Sequence, residues 1–329
     1  GGLFNRSSDG GPGATVSNCV ITSNSCDLGF GGGIYNEGNL SLFDCTLNGN
    51  WVSGTPDSHG NLNGLGGGIH NNSATAGRTL LLSGCTISSN SASILGGGIA
   101  NIGPSDGSVL SLALVSSTFS GNSAAQGGGG LYNGNYHFAT TSAGTIIVNT
   151  IMDSSSITNA GGIVASLGNN LSSDHGGGLL SHPTDQTSTP PMLGPLQNNG
   201  GQAFTHAPLP GSPAIDKGKN FNGAATDQRG FARTINMAGI PDAANGDGTD
   251  IGAVEWQDAS PRLVNAGIVS NQFGFNVTGP FTNIVLEYST DPGTNWTVLG
   301  TYPLSDSVLR YNEFTPPVQP KRFYRARIQ

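Results

Sequence analysis

The chain has 329 residues, 53 of them Gly, and only 10% of its residues are charged. That leaves too few Lys and Glu to solvate the faces of a helical bundle, and too little charge for charge-driven disorder. The formal charge of −8 argues against phosphate neutralisation, hence against a nucleic-acid partner, and no run approaches the ~20 apolar residues of a membrane helix.

Read from its start, the chain opens on a motif that returns. Gly1-Gly2-Leu3-Phe4-Asn5 recurs as Gly32-Gly33-Ile34-Tyr35-Asn36 and as Gly67-Gly68-Ile69-His70-Asn71. It recurs again as Gly97-Gly98-Ile99-Ala100-Asn101 and Gly129-Gly130-Leu131-Tyr132-Asn133. A second column runs between the first: Cys19-Val20-Ile21, Cys45-Thr46-Leu47, Cys85-Thr86-Ile87, Ser117-Thr118-Phe119 and Asn149-Thr150-Ile151. Val16, Leu42, Leu82, Leu114 and Ile146 precede these triplets, and Asn24, Asn50, Asn90, Asn122 and Ser154 follow them. The stretch 51–64 lengthens one unit and reads as an outward loop.

Within each unit the apolar residues alternate, as in Leu40-Ser41-Leu42, and the spacers are Gly, Ser, Thr and Asn. Those spacers compete with helix and favour turns, so the pattern predicts short strands. A unit of about 30 residues with two or three such strands is one coil of a β-solenoid. No coil buries its inward face alone, but stacked coils share a continuous core. Leu3, Ile34, Ile69, Ile99 and Leu131 then form one inward column. Ile21, Leu47, Ile87, Phe119 and Ile151 form another.

These units resemble the Gly-Gly-Gly-Ile-Tyr-Asn repeats of bacterial surface proteins with right-handed parallel β-helices, including polymorphic outer-membrane proteins. The resemblance extends through Leu193–Gly201, Leu209–Asp216, Asp227-Gln228-Arg229-Gly230 and Asp250–Glu255, about residues 1–256 in all. It implies an all-β fold, a right-handed parallel β-helix with a C-terminal cap. Residues 1–182 are expected to be coils and 183–258 to cap the solenoid's end. Six alternating segments between Leu263 and Ile328 predict a small β-sandwich over 259–329. It resembles fibronectin-type-III-like modules ending in Arg-Phe-Tyr-Arg-Ala-Arg, here Arg322 to Arg327.

Several residue groups carry possible chemistry. Asn5, Asn36, Asn71, Asn101 and Asn133 predict a structural ladder, since stacked amides hydrogen-bond along a solenoid. Phe4, Tyr35, His70, Ala100 and Tyr132 fall on the outward alternation. Phe4, Tyr35, His70 and Tyr132 form a stripe that could stack on sugar rings or on a partner protein, or from rung to rung. Asp242, Asn245, Asp247 and Asp250 lie on a Gly-rich stretch and could hold Ca2+, though the spacing is not that of an EF-hand. The alternative is that Asp250 and Asp227 pair with Arg229 or Arg233. Cys19, Cys45 and Cys85 share an inward column, and a Cys19–Cys26 bridge is open in an oxidising compartment.

Parallel β-helices also host polysaccharide lyases and hydrolases. A hydrolase needs paired carboxylates, and a lyase needs a base beside cations. The acids Asp9, Asp27, Glu37, Asp44, Asp57, Asp106, Asp153 and Asp174 share no obvious column, and no Lys precedes Lys217. Asp174-His175 with His182 is the best cluster. The expectation is therefore a non-enzymatic, secreted, extracellular or cell-surface rod without a cofactor, apart from the possible Ca2+. The alternative is a carbohydrate-active enzyme or glycan-binding module. Because the sequence begins inside a coil motif, either further chain precedes it or the bare edge docks a second copy head to tail, building a filament. The expected partners are thus a copy of itself, or a cell-surface glycan or protein.

Overall fold

The computed structural model describes residues 2–6, 13–55, 62–72, 78–103, 110–134, 143–237, 239–257, 262–269, 272–278, 283–291, 295–303, 308–313 and 322–328. Asp9, Asp57, Asp106 and residues 56–61 of the 51–64 insertion lie outside these residues. The chain divides into two compact units, Gly1–Trp256 and Gln257–Gln329.

The first unit is a parallel β-helix. Its strands repeat in the order A, B, C, D, and equivalent strands of successive coils pair in parallel. Sheet A joins Leu3–Asn5, Ile34–Asn36, Ile69–Asn72, Ile99–Ile102, Leu131–Gly134 and Ile157–Ala160, one strand for each of coils 1 to 6. Sheet B joins Ala14–Ser17, Leu40–Phe43, Thr79–Ser83, Leu110–Val115, Ala143–Val148 and Ile163–Gly168. Sheet C joins Val20–Thr22, Thr46–Asn48, Thr86–Ser88, Thr118–Ser120, Ile151–Asp153 and Leu171–Ser172. Sheet D is a narrow ribbon of two-residue strands in coils 1 to 4: Ser25–Cys26, Trp51–Val52, Ser91–Ala92 and Ser123–Ala124.

The inward columns stack in register. Ile34 pairs with Ile69, Ile69 with Ile99, and Ile99 with Leu131. They share one core with Leu42, Leu82, Leu114, Leu47, Ile87 and Phe119. The corners between sheets B and C are left-handed: Asn18, Asp44, Gly84, Ser116 and Asn149 all have positive φ. The B–C corner column therefore holds Asn, Asp, Gly and Ser, the residues that tolerate this conformation or hydrogen-bond locally within it.

One register differs from the expectation. Phe119 lies over Met152, not Ile151, and Leu114 lies over Ile147, not Ile146. Ile146 accordingly is 41% exposed while Ile147 is fully buried. A slip of one residue reverses every side chain of a strand. Here Asn149 occupies the left-handed corner, and that moves Thr150 into the column begun by the cysteines. The polar column ends likewise at Ser155, whose hydroxyl receives Asn122 Nδ2 at 3.2 Å, rather than at Ser154.

The segment after the coils takes an unexpected path. The end of the core is closed by Leu179 and Leu180, next to the 3-10 turn Gly176–Gly178. Residues beyond Gln186 turn back along the outer face of sheet C. Gln186 bridges to Leu171 in coil 6, and Ala253 N donates to Thr118 Oγ1 in coil 4 at 3.0 Å. Thr86 Oγ1 in coil 3 donates to Gln228 Oε1 at 2.5 Å, and Gln228 Nε2 donates to Thr46 Oγ1 in coil 2 at 2.9 Å. This segment is a flank cover. The physical reason is the outward column it meets: Thr46, Thr86, Thr118, Ile151 and Leu171 are all buried beneath it, whereas Val20, their equivalent in coil 1, stays 50% exposed. An outward β-branched and apolar column gains by being covered.

In the second unit the six predicted strands form two antiparallel sheets. One joins Arg262–Val269, Gln272–Thr278 and Val308–Glu313; the other joins Thr297–Pro303, Asn283–Ser289 and Phe323–Ile328. Phe275, Val277, Ile284 and Leu286 make their common core. Asp291-Pro292-Gly293 is a turn signal between two of these strands in the sequence, and its last two residues lie outside the described set.

Candidate functional site

The Asn column of sheet A forms an unbroken amide ladder. Asn5 Nδ2 donates to Asn36 Oδ1 at 2.7 Å, and Asn36 to Asn71 at 2.7 Å. Asn71 donates to Asn101 at 2.8 Å, and Asn101 to Asn133 at 2.8 Å. Asn133 continues it to Asn159 at 2.9 Å. A second ladder runs Asn24, Asn50, Asn90, Asn122 just before sheet D, with links of 3.0, 2.9 and 3.0 Å. Both are internally saturated, so their chemistry is cohesion.

The aromatic stripe is in line, as the register requires. Phe4 pairs with Tyr35, Tyr35 with His70, His70 with Ala100, and Ala100 with Tyr132. Its exposure differs from the expectation. Phe4 is 59% exposed, but His70 and Ala100 are at 0% and Tyr132 at 2%. The turns entering sheet A fold over its outer face: Phe30 bridges to Leu65 and Leu65 to Leu95 in parallel, and these join Ile94, Ala100, Ile102 and Tyr132 in a second apolar core. His70 and Tyr132 are therefore packing residues with no face open to a sugar. Burial alone holds His70 down to about 3, so its imidazole is neutral at physiological pH.

The stripe opens only at coils 1 and 2. There Phe4 stacks on Tyr35 (centroids 5.5 Å, 12° between planes), and Tyr35 stacks on His70 (5.2 Å, 2°). Phe30 leans on His70 at 4.7 Å. The rim of this platform is polar. Tyr35 Oη donates to Glu37 Oε1 at 2.7 Å and accepts from Asn72 Nδ2 at 3.2 Å. Arg6 approaches Glu37 at 3.7 Å. Burial raises the Tyr35 hydroxyl above its ordinary range, so it remains a protonated donor. An aromatic face ringed by a phenol, a carboxylate, an amide and a guanidinium can stack on one flat apolar group and hydrogen-bond its edge.

The suggested Ca2+ residues do not converge. Asp242 accepts from Asn236 Nδ2, while Asp247 accepts from Asn220 N and Thr249 N. Asn245 sits in a left-handed turn (φ 60°). Asp250 is buried and accepts the backbone N–H groups of Asp216 and Trp256. Among the described residues no three His, Cys, Asp or Glu side chains gather where they could hold a metal ion. Asp242, Asp247 and Asp250 instead brace the flank cover, each accepting from its own N–H or amide donors.

The alternative pairing is present in part. Arg229 Nε and Nη2 donate to Asp227 Oδ2 at 2.9 and 2.7 Å. Arg233 donates to the carbonyls of Asp250 and Gly252 rather than to a carboxylate. Burial pushes the Asp250 carboxyl up to about 8, with the Glu255 charge as the next cause, and burial raises Glu255 as well. The Asp174, His175 and His182 cluster does not assemble either. Asp174 accepts from Ser172 and Gly176, His175 accepts from Gly177 N, and His182 bonds Thr184.

One pairing escaped the sequence reading. Ser88 Oγ lies 2.9 Å from His206 Nε2, whose Nδ1 faces the Gly194 carbonyl at 2.8 Å. Both side chains are buried, so this nucleophile-like geometry serves as a pin between sheet C and the cover. The two residues lie 118 apart in the chain, beyond the reach of any local sequence pattern.

Residues 116–134 match the Chlamydia polymorphic membrane protein repeat. The match spans sheets C and D of coil 4 and the sheet A strand of coil 5, so it covers most of one turn of the solenoid. Together with the in-register parallel sheets it fits a β-helix repeat of surface-protein type. No curated protein and no solved structure matches the chain.

Proposed function

We propose that the chain is the non-enzymatic, extracellular rod of a cell-surface protein, and that it adheres through the aromatic platform at coils 1 and 2. The observation that carries this reading is the contrast along one stripe. Over five rungs in register Phe4 is exposed and Tyr35 half-buried, while His70, Ala100 and Tyr132 are buried. The surface-protein repeat at 116–134 supports the location. The ladders and the flank cover supply the stiffness a rod needs. The six-stranded C-terminal unit, with its fibronectin-like sequence ending, serves as an anchor or spacer.

Two measurements test adhesion. Binding of the full chain to a panel of neutral and acidic glycans and to cultured cells falls at least tenfold in F4A/Y35A and is unchanged in V20S, which removes an exposed apolar residue elsewhere. Equal binding by all three returns the platform to a purely structural part. Release of unsaturated sugars from any acidic glycan would replace adhesion by lyase activity.

Self-association extends the same reading. Successive coils pair strand to strand in parallel, and a second copy stacked in the same register would lengthen the rod. Filaments seen by electron microscopy support this extension, and dispersed particles at high concentration remove it.

A further inference from the structure

The column that opens with Cys19 has one local chemistry throughout. Each side chain donates to the carbonyl two residues before it: Cys19 to Ser17, Cys45 to Phe43, Cys85 to Ser83, Ser117 to Val115 and Thr150 to Val148. Ser and Thr perform this task in coils 4 and 5, so the hydrogen bond does not itself call for sulfur. Coils 2 and 3 nevertheless place two fully buried thiols on adjacent rungs.

Their register is tight. Thr46 pairs with Thr86, and Thr86 N donates to Cys45 O at 2.9 Å, so the two cysteines lie one rung apart. Parallel neighbours sit about 4.8 Å apart, inside the ~4.4–6.8 Å that Cα atoms of a disulfide span. The Cys85 thiol leans back toward coil 2, reaching Leu42 O at 3.4 Å. Bringing the Cβ atoms to bonding distance asks for a closure of about 1 Å. Losing the thiol protons orphans nothing at their first acceptors. Phe43 O keeps a bond from Asn18 N at 2.9 Å, and Ser83 O keeps one from Asp44 N at 3.0 Å.

We infer that Cys45 and Cys85 form a disulfide that staples coil 2 to coil 3 when the chain folds in an oxidising compartment. The oxidant is a low-molecular-weight or protein disulfide. Cys45 thiolate attacks one of its sulfurs and expels a thiolate. Cys85 thiolate then attacks the Cys45 sulfur of the mixed disulfide and expels the second thiol. The chain loses two protons and two electrons, and the oxidant is reduced to two thiols. Both sulfurs are buried in the finished coil, so exchange precedes closure of the core. The surface reading supplies the compartment, but the bond itself is tested without it.

The full chain is refolded with reduced and oxidised glutathione, alkylated under denaturing conditions without reductant, and digested. The staple predicts two free thiols, Cys19 and Cys26, and a linked peptide pair holding Cys45 and Cys85. Four free thiols, or a linkage through Cys19 or Cys26, overturns it. C85S retains the carbonyl hydrogen bond, as Ser117 does, and controls for stability. Reduction lowers the melting temperature of the wild-type chain by several degrees and leaves that of C85S unmoved. An equal response in both also overturns the staple.

Discussion

At the scale of single residues, buried amides do most of the specifying. Asn90 is the densest case. It accepts from Asn50 N and Asn50 Nδ2, and donates to Leu47 O at 3.0 Å and Asn122 Oδ1 at 3.0 Å. A methyl in its place removes bonds to coils 2 and 4 and leaves Asn50 N without its acceptor. Asn90→Ala is expected to cost about 3 kcal/mol in denaturant unfolding, more than the typical ~1 kcal/mol for a point mutant. A loss below about 1 kcal/mol would mean that water or a neighbour replaces the amide. Glycine matters most at Gly67, where a Cβ would collide with the carbonyl oxygens of Ser91 and Gly97. That close approach is why the triplets hold Gly where sheet A begins.

At the scale of elements, the flank cover is held by carboxylates that accept backbone N–H groups. Asp227 receives Arg229, Phe231 and Glu255, and Glu255 receives Ile235 and Asp250. Asp250 faces Glu255, Asp216 and the buried Arg233, which also faces Asp227 and Asp44. Its carboxyl is raised from 3.8 to about 8 in the fold. A raised acid binds its proton more tightly folded than unfolded. Its contribution is therefore complete below about pH 4 and drains away as pH climbs through about 8. Amide exchange at Asp216 and Trp256, corrected for intrinsic rates, should show the cover loosening between pH 6 and 9. Asp250→Asn flattens that dependence and leaves one N–H without its acceptor. A slope that persists in the variant would assign the titration to Glu255.

At the scale of the molecule, stability is expected to follow the cover. Solenoids unfold as neighbouring units with local differences in opening. Gln228 ties coils 2 and 3 through Thr46, Thr86 and the Cys45 carbonyl, while Val20 in coil 1 is exposed. Hydrogen exchange should be fastest in 14–26 of the first unit's strands and slowest in 79–88 and 112–120. Gln228→Ala leaves two hydroxyls and a carbonyl short of a partner beneath the cover and should cost about 2–3 kcal/mol. Limited proteolysis would then cut within 200–256 before the coils. Cleavage in the coils first would show that the cover is not what clamps them.

The amino-acid sequence by itself determined the period, the strand type, the inward columns of coils 1 to 4 and the amide ladder. These depend on short-range alternation and on residues repeating in phase, and a coil stacked in register turns that phase directly into contact. Tertiary structure alone decided which outward faces meet water. Phe4 and His70 occupy equivalent positions, yet one is open and the other closed, because Phe30, Leu65 and Leu95 reach over sheet A from other turns. The path of the cover was equally hidden, since its bonds join residues 142 and 158 apart that no local pattern links. The register of coil 5 is offset by one place from Ala143 onward, so that Asn149 takes the left-handed corner and Ile147, not Ile146, faces the core.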